Sequence, residues 1–341
     1  MRLLSLFSGI GAFEKALDNL GIKYELTNYC EIDRHASKAY SLIHGVSENL
    51  NLGDVATVDT SILHDIDMVT YGFPCVDISS AGKQRGFEHK GEQTRSGLFF
   101  EALRIIEDTK PAYAIAENVK NLVSKRFSKE FGLVLSSLES AGYNNYWQVL
   151  NAKDFGIPQN RERVFIVSIR KDLDDGRFVF PEKEPLGIRL RDLLEESVDE
   201  RFYLNETKSF FIKNSFDMER KGNGFRFEPH VARNAGIAKT ITTRAGGRMD
   251  DNYLIEIESD SEKFKFDSTN DNLCIDKLRL DQLRIRKLTP KECFRLMGFD
   301  DRDADMLSEN GISNTQMYKM AGNSIVVDVL EGIFDRLSVE T

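Results

Sequence analysis

A thiol, a carboxylate and two guanidiniums, each beside an apolar run, are the groups in this 341-residue sequence that could do chemistry together. Cys75 closes Gly72-Phe73-Pro74-Cys75 behind the run Asp67-Met68-Val69-Thr70-Tyr71. A strand there would carry a Pro-stiffened thiol to the carboxyl edge of a sheet, where open α/β sheets place their chemistry. Such a thiol is either a nucleophile or a small buried hydrophobe. Glu117, in Glu117-Asn118-Val119, follows Ala112-Tyr113-Ala114-Ile115-Ala116 and reaches the same edge. A buried carboxylate with a raised pKa could protonate or hydrogen-bond a ring nitrogen; an N-cap or ion-pair role is the alternative. Gln159, Arg161 and Arg163 alternate at the entrance of Val164-Phe165-Ile166. Period-two spacing predicts all three side chains on one face, where they could grip a carboxylate, a phosphate or a base edge.

The first turn reads as a ligand loop. Phe7-Ser8-Gly9-Ile10-Gly11-Ala12-Phe13 sets two glycines between a strand and a helix, and Glu14 stands where a dinucleotide fingerprint would have its third glycine. About twenty residues on, Glu31 offers a carboxylate to both hydroxyls of a ribose, or is a solvated strand-end acid. Together they predict an adenosine-bearing cofactor without a pyrophosphate. Asp54, in Gly53-Asp54-Val55, could accept from an adenine amine or serve as turn chemistry.

The elements that must position these groups alternate. Strands are expected at 3–7, 24–30, 65–71, 112–117, 146–150 and 164–169, with helices at 12–20, 36–43, 98–106 and 129–140. That alternation implies a mostly parallel, doubly wound α/β sheet. Past Pro181 and Pro185 the pattern breaks into short mixed segments, read as a separate irregular small domain, before helical spacing returns at 290–297 and 326–337.

Composition narrows the partners. The chain opens directly into an apolar run with no charged-then-apolar leader, and no run approaches the roughly 18 apolar residues of a membrane span, so a cytoplasmic protein is expected. Four cysteines (Cys30, Cys75, Cys274, Cys293) form no CxxC pair, which argues against zinc and disulfides. A net charge of −9 discourages phosphate binding on average. Between Lys208 and Met249, however, nine Lys or Arg stand against three acids, with Phe225, Phe227 and several glycines interleaved. That stretch is either a solvated face or a polyanion contact.

In this order the motifs resemble those of the DNA (cytosine-5) methyltransferases of bacterial restriction–modification systems, over nearly the whole chain. Phe7-Ser8-Gly9-Ile10-Gly11 looks like the cofactor loop, Gly72-Phe73-Pro74-Cys75 the nucleophile motif, Glu117-Asn118-Val119 the acid motif and Gln159-Asn160-Arg161-Glu162-Arg163 the third active-site motif. The runs from Arg286 to Phe299 and from Tyr318 to Ser324 match the closing pair, and 236–242 resembles a segment of the family's target recognition domain.

The resemblance implies a Rossmann-like S-adenosylmethionine-dependent methyltransferase fold in 1–183, a smaller target recognition domain in 184–311 and a C-terminal helix in 312–341 returning to the catalytic domain. It implies methylation of cytosine carbon 5 in a short specific double-stranded DNA sequence by addition of Cys75 to carbon 6 of a flipped-out base, assisted by Glu117, Arg161, Arg163 and Gln159. Phe7, Gly9, Gly11, Glu31, Asp54, Pro74, Leu98 and Asn323 would line the S-adenosyl-L-methionine pocket. Ser79, Lys83, Arg85 and Arg95 would contact DNA from a glycine-flanked catalytic loop, and Arg233, Lys239, Arg244 and Arg248 from the basic stretch. A monomer without metal is expected, with a cognate restriction endonuclease as a functional partner. Val76, Ser5 and Ala12 depart from the family's usual Gln, acidic residue and glycine. The alternatives are an RNA (tRNA) cytosine-5 methyltransferase and a DNA-binding homologue with weakened catalysis.

Overall fold

The computed structural model describes residues 1–75, 78, 86–89, 92–205, 230–232, 235–244, 251–257 and 283–337. Val76, Ser79, Lys83, Arg85, Arg233, Arg248 and Cys274 lie outside the described residues, as does most of the basic stretch, and Arg95 is described in its backbone alone. Contacts divide the chain into two units. The first comprises Met1–Phe155, Glu162–Glu184 and Ser324–Thr341; the second comprises Gly156–Arg161 and Pro185–Asn323.

The first unit alternates strand and helix: β1 (Arg2–Leu6), α1 (Ala12–Asn19), β2 (Glu25–Cys30), α2 (Arg34–His44), β3 (Met68–Tyr71), a short hairpin of β4 (Glu88–His89) and β5 (Glu92–Gln93), α3 (Phe99–Thr109), β6 (Tyr113–Val119), α4 (Ser128–Ser140) and β7 (Tyr143–Asn151). After β8 (Gln159–Asn160), β9 (Glu162–Arg170) completes a sheet of order β2-β1-β3-β6-β9-β7. Strands β2, β1, β3 and β6 run parallel, and β9 is antiparallel to both neighbours. Strands covered on both faces need near-continuous apolar sequence. Leu4, Leu6, Val69, Tyr71, Ala114, Ala116, Val164 and Ile166 meet that need, none more than 1% exposed.

Register brings the chemistry to one edge. Leu6 pairs with Tyr71 and Tyr71 with Ala116, so the segments beginning at Phe7, Gly72 and Glu117 leave the sheet side by side. Because β9 is antiparallel, it starts at that edge: Arg163 pairs with Val119.

The second unit holds β10 (His230–Val231), β11 (Ala238–Lys239), β12 (Tyr253–Ile257) and β13 (Leu283–Lys287), with helices Pro290–Arg295, Asp301–Glu309 and Asn314–Asn323. β10, β12 and β13 form one sheet, and β11 pairs with β8. Helix Asn314–Asn323 stays in this unit because the Tyr318 hydroxyl donates to the Leu288 carbonyl at 2.6 Å and Gly322 presses on Thr242 so closely that a Cβ there would lie 2.3 Å from backbone. The return to the first unit therefore comes at Ser324, with helix Val327–Arg336 packing on α1 through Phe334 and Phe13.

At the centre of the second unit, Arg286 is 1% exposed and grips Glu292 with two bonds of 2.8 and 2.9 Å and Glu256 with one of 2.6 Å. Removing one partner of a buried ion pair strands the other charge away from water. Arg286→Met is therefore expected to lose about 3–5 kcal/mol of stability, read as a lowered midpoint in denaturant. A midpoint shift worth well under 1 kcal/mol would show that water reaches these carboxylates.

Candidate active site

The ligand loop is built on left-handed backbone. Phe7, Gly9 and Gly11 have φ of +53°, +57° and +79°. A Cβ on Gly11 would fall 2.1 Å from Nε2 of His44, which donates to the Ile10 carbonyl at 3.1 Å and so ties the loop to the end of α2. Left-handed backbone and this clash together make Gly11→Ala costly, by about 2–4 kcal/mol. A thermal shift assay should record the loss; an unchanged melting temperature would show that His44 moves aside freely.

Glu31 follows β2 and is fixed by backbone. Its Oε2 accepts from Gly9 N at 2.9 Å and its Oε1 from Asp33 N at 2.7 Å, while its own N–H donates to Oδ1 of Asn51. Burial raises its pKa, and those N–H donors oppose the rise by favouring the charged form. Ile32 N–H also bonds this carboxylate, and of its roughly four acceptor sites one is left for a further donor. A Cβ built on Gly9 or Gly53 meets nothing within 4 Å, so there is open space beside the loop and beside Asp54. Asp54 is exposed and caps the turn Val55–Thr57 through Ala56 N. Pro74 and Leu98 are half-buried, and Asn323 is exposed as the last residue of the second unit.

Cys75 is half-buried, whereas Cys30 and Cys293 are 0% exposed. Burial pushes the Cys30 thiol up to about 12 and that of Cys293 well above its ordinary value. Asn118, 2% exposed, fastens the approach to Cys75 by donating to the Phe73 carbonyl at 3.0 Å. One strand over, Oε2 of Glu117 lies 3.7 Å from where a Cβ on Gly72 would stand. Oε1 of Glu117 pairs with Nε of Arg163 at 2.9 Å, the two side chains 13% and 17% exposed.

The third run does not present one face. Gln159 N bonds Ile157 O and Arg161 N bonds Gln159 O, tight i→i+2 turns that break the alternation and end β8 before β9 begins. Gln159, 0% exposed, receives Ile241 N on its Oε1 and donates to Leu296 O. Arg161, 3% exposed, donates to the carbonyls of Ile241 and Gly322. Both side chains hold the second unit together, and Arg163 is the member of the trio that meets Glu117.

Lys239 has its backbone N–H and carbonyl both bound by Asn252, and Arg244 is exposed in the turn after it. Ser5, where the family often has an acid, is buried in β1 and receives the Thr70 hydroxyl. Ala12 is buried at the start of α1. Among the described residues no group of three His, Cys, Asp or Glu could hold a metal ion, and no helix is long and apolar enough to cross a membrane.

Sequence reasoning missed His44, Asn51, Asn118 and Ile32. The last, 78% exposed directly after Glu31, is an apolar side chain in water beside the ligand loop. Asn118 alone had a signal, its place between Glu117 and Val119.

The model of the C-5 cytosine-specific DNA methylases matches residues 1–338. The orphan methyltransferase M.SPRI of Bacillus phage SPR is 33% identical across 99% of this chain and 97% of its own. The type II methyltransferase M2.ScrFI of Lactococcus lactis subsp. cremoris is 41% identical across 85% of this chain and 71% of its own. In fold, the S. pombe Dnmt2 methyltransferase superposes with a TM-score of 0.69 at 23% identity, covering 98% of this chain and 97% of that one. Such likeness shows the fold alone, a Rossmann-like α/β sheet. The family match runs through both units without a break, and the chain belongs to the C-5 cytosine-specific DNA methylases, enzymes that methylate DNA at carbon 5 of cytosine.

Proposed function

We propose that this protein methylates a flipped-out cytosine within a short specific double-stranded DNA sequence by transient covalent addition of Cys75. The observation that carries this reading is the grouping of the half-buried Cys75 with the Glu117–Arg163 pair at one sheet edge, while Cys30 and Cys293 are sealed in the core. Carbon 5 of cytosine is a poor nucleophile and lies inside the stack. Extruding the base costs a few kcal/mol, which contacts to the flanking DNA must offset.

Addition of the Cys75 thiolate to carbon 6, with a proton or hydrogen bond from Glu117 at ring nitrogen 3, breaks aromaticity and makes carbon 5 an enamine carbon. Arg163 orients the Glu117 carboxylate through its 2.9 Å contact. Once carbon 5 is methylated, loss of its proton and expulsion of Cys75 restore the ring. A free thiol is only a few per cent ionised near neutrality, and the Arg163 guanidinium supplies positive charge at this edge.

S-adenosyl-L-methionine supplies an electrophilic methyl group when bound. The open space at Gly9 and Gly53 and the remaining acceptor capacity of Glu31 fit an adenosine. Glu31 would accept a ribose hydroxyl, Asp54 the adenine amine, and Phe7 and Ile32 would supply apolar contact to the base. Gly11, Pro74, Leu98 and Asn323 complete the expected lining. The protein would act as a monomer in the cytoplasm, with a cognate restriction endonuclease as a functional partner.

The test is a duplex substrate carrying 5-fluorocytosine at the target. Fluorine on carbon 5 cannot leave as a proton, so Cys75 stays attached and a denaturant-stable protein–DNA adduct is expected. An active preparation that forms no adduct on its own site would rule out the covalent route.

A further inference from the structure

Beyond the loop and the basic stretch expected to contact DNA, the first unit carries another concentration of positive charge. Residues 119–129 contain Lys120, Lys125, Arg126 and Lys129 and no acid, in a chain of net charge −9. Lys125, Arg126 and Lys129 are exposed, on the turn Lys125–Phe127 and the first residues of α4. The turn is rigidly seated. Leu122 and Phe127 are 0% and 2% exposed in the core, Phe127 N bonds Ser124 O, and the Ser128 hydroxyl donates to Lys125 O.

Its flanks adjoin the nucleophile. On one side the Asn121 amide donates to the Ile78 carbonyl, and Ile78 N donates to the Cys75 carbonyl at 3.0 Å. On the other, the Glu130 carboxylate fills the space a Cβ on Gly86 would take, 2.3 Å away. Lys120 pairs with Glu162 at 2.8 Å, one residue from Arg163. The cation-bearing turn is thus flanked by Asn121 and Glu130, which touch Ile78 and Gly86 downstream of Cys75 in the same unit.

We infer that Lys125, Arg126 and Lys129 form a contact surface for the DNA backbone, gripping phosphates next to the flipped nucleotide; this rests on the reading of duplex DNA as substrate. A flipped base remains covalently joined to its strand, so the neighbouring phosphates must stay near Cys75. Exposed cations on a turn pinned by buried Leu122 and Phe127 meet them with little ordering cost. Such contacts read no sequence; they hold the strand in position.

The test replaces all three with glutamine and measures duplex binding across a salt series. Removing one cation from a phosphate should flatten the dependence of log K on log salt by about 0.9. The variant Lys125→Gln/Arg126→Gln/Lys129→Gln should therefore lose about 2–3 in slope and bind about tenfold or more weakly at low salt, with its sequence preference intact. A control with the same charge change, Lys23→Gln/Lys110→Gln/Lys171→Gln, alters exposed residues at the opposite, amino edge of the sheet and should keep the wild-type slope. An unchanged slope in the first variant, or an equal loss in the control, overturns the proposal. Wild-type protein that binds no duplex at any salt would instead overturn the substrate reading, and this surface with it.

Discussion

Cys75→Ser is expected to lower methyl transfer to below about one thousandth of wild type and to abolish the 5-fluorocytosine adduct, because the reaction then lacks its nucleophile. A hydroxyl replaces the sulfur in nearly the same volume, so the fold is retained and DNA and cofactor binding should persist. No other described thiol can substitute. Cys30 is fully buried with its pKa pushed up to about 12, and Cys293 is fully buried with its thiol pushed well above its ordinary value by burial. The measurement is incorporation of labelled methyl into duplex DNA alongside a binding assay. Serine protein that retained a tenth of wild-type turnover would mean that another group attacks carbon 6, or that none does. Loss of binding together with turnover would mean that the change had disturbed the site's structure, and the adduct experiment on wild-type protein would then decide.

The sheet was legible because strands buried on both faces leave an unmistakable record: 3–6, 68–71 and 113–116 are largely apolar runs of strand length, followed by the loop beginning at Phe7, by Gly72-Phe73-Pro74-Cys75 and by Glu117. Residues just past the end of a parallel strand must leave at the carboxyl edge, so Cys75 and Glu117 could be placed together from order alone. Gln159 and Arg161 could not. Period two describes a strand, and two backbone turns that no side-chain pattern announces interrupt it, sending both side chains into Ile241, Leu296 and Gly322. Both bond to backbone carbonyls or N–H groups distant in sequence, contacts to which residue identity is indifferent. The same holds for His44 and Asn51, which fix the ligand loop and Glu31 through main-chain atoms. The end of the second unit was displaced for a related reason: helix Asn314–Asn323 is held by one tyrosine hydroxyl and by a glycine that lets Thr242 approach. Apolar periodicity records that a helix exists, not which neighbour claims it.

Glu117→Gln is expected to reduce kcat by about 10²–10⁴, the usual range for removal of a general acid, while KM for DNA changes little. The amide keeps the size of the carboxyl group but cannot carry a proton to nitrogen 3. It also forfeits the ion pair with Arg163, so the loss combines proton delivery with orientation. Arg163→Ala should separate these contributions. It leaves the Glu117 carboxylate, 13% exposed, without its 2.9 Å guanidinium partner, and kcat should fall because the acid is no longer aimed. If both residues act through one pair, the double variant should be no slower than the slower single variant by more than a few fold, as for groups that work as a unit. Arg163→Lys should rescue little, since a point charge on a flexible stem does not reproduce the directed Nε contact of the guanidinium to Glu117. Strictly multiplicative losses in single-turnover kinetics would sink the coupling and assign Arg163 to the base or the phosphate instead. A Glu117→Gln variant with wild-type kcat would require cytosine to be activated by Cys75 addition alone.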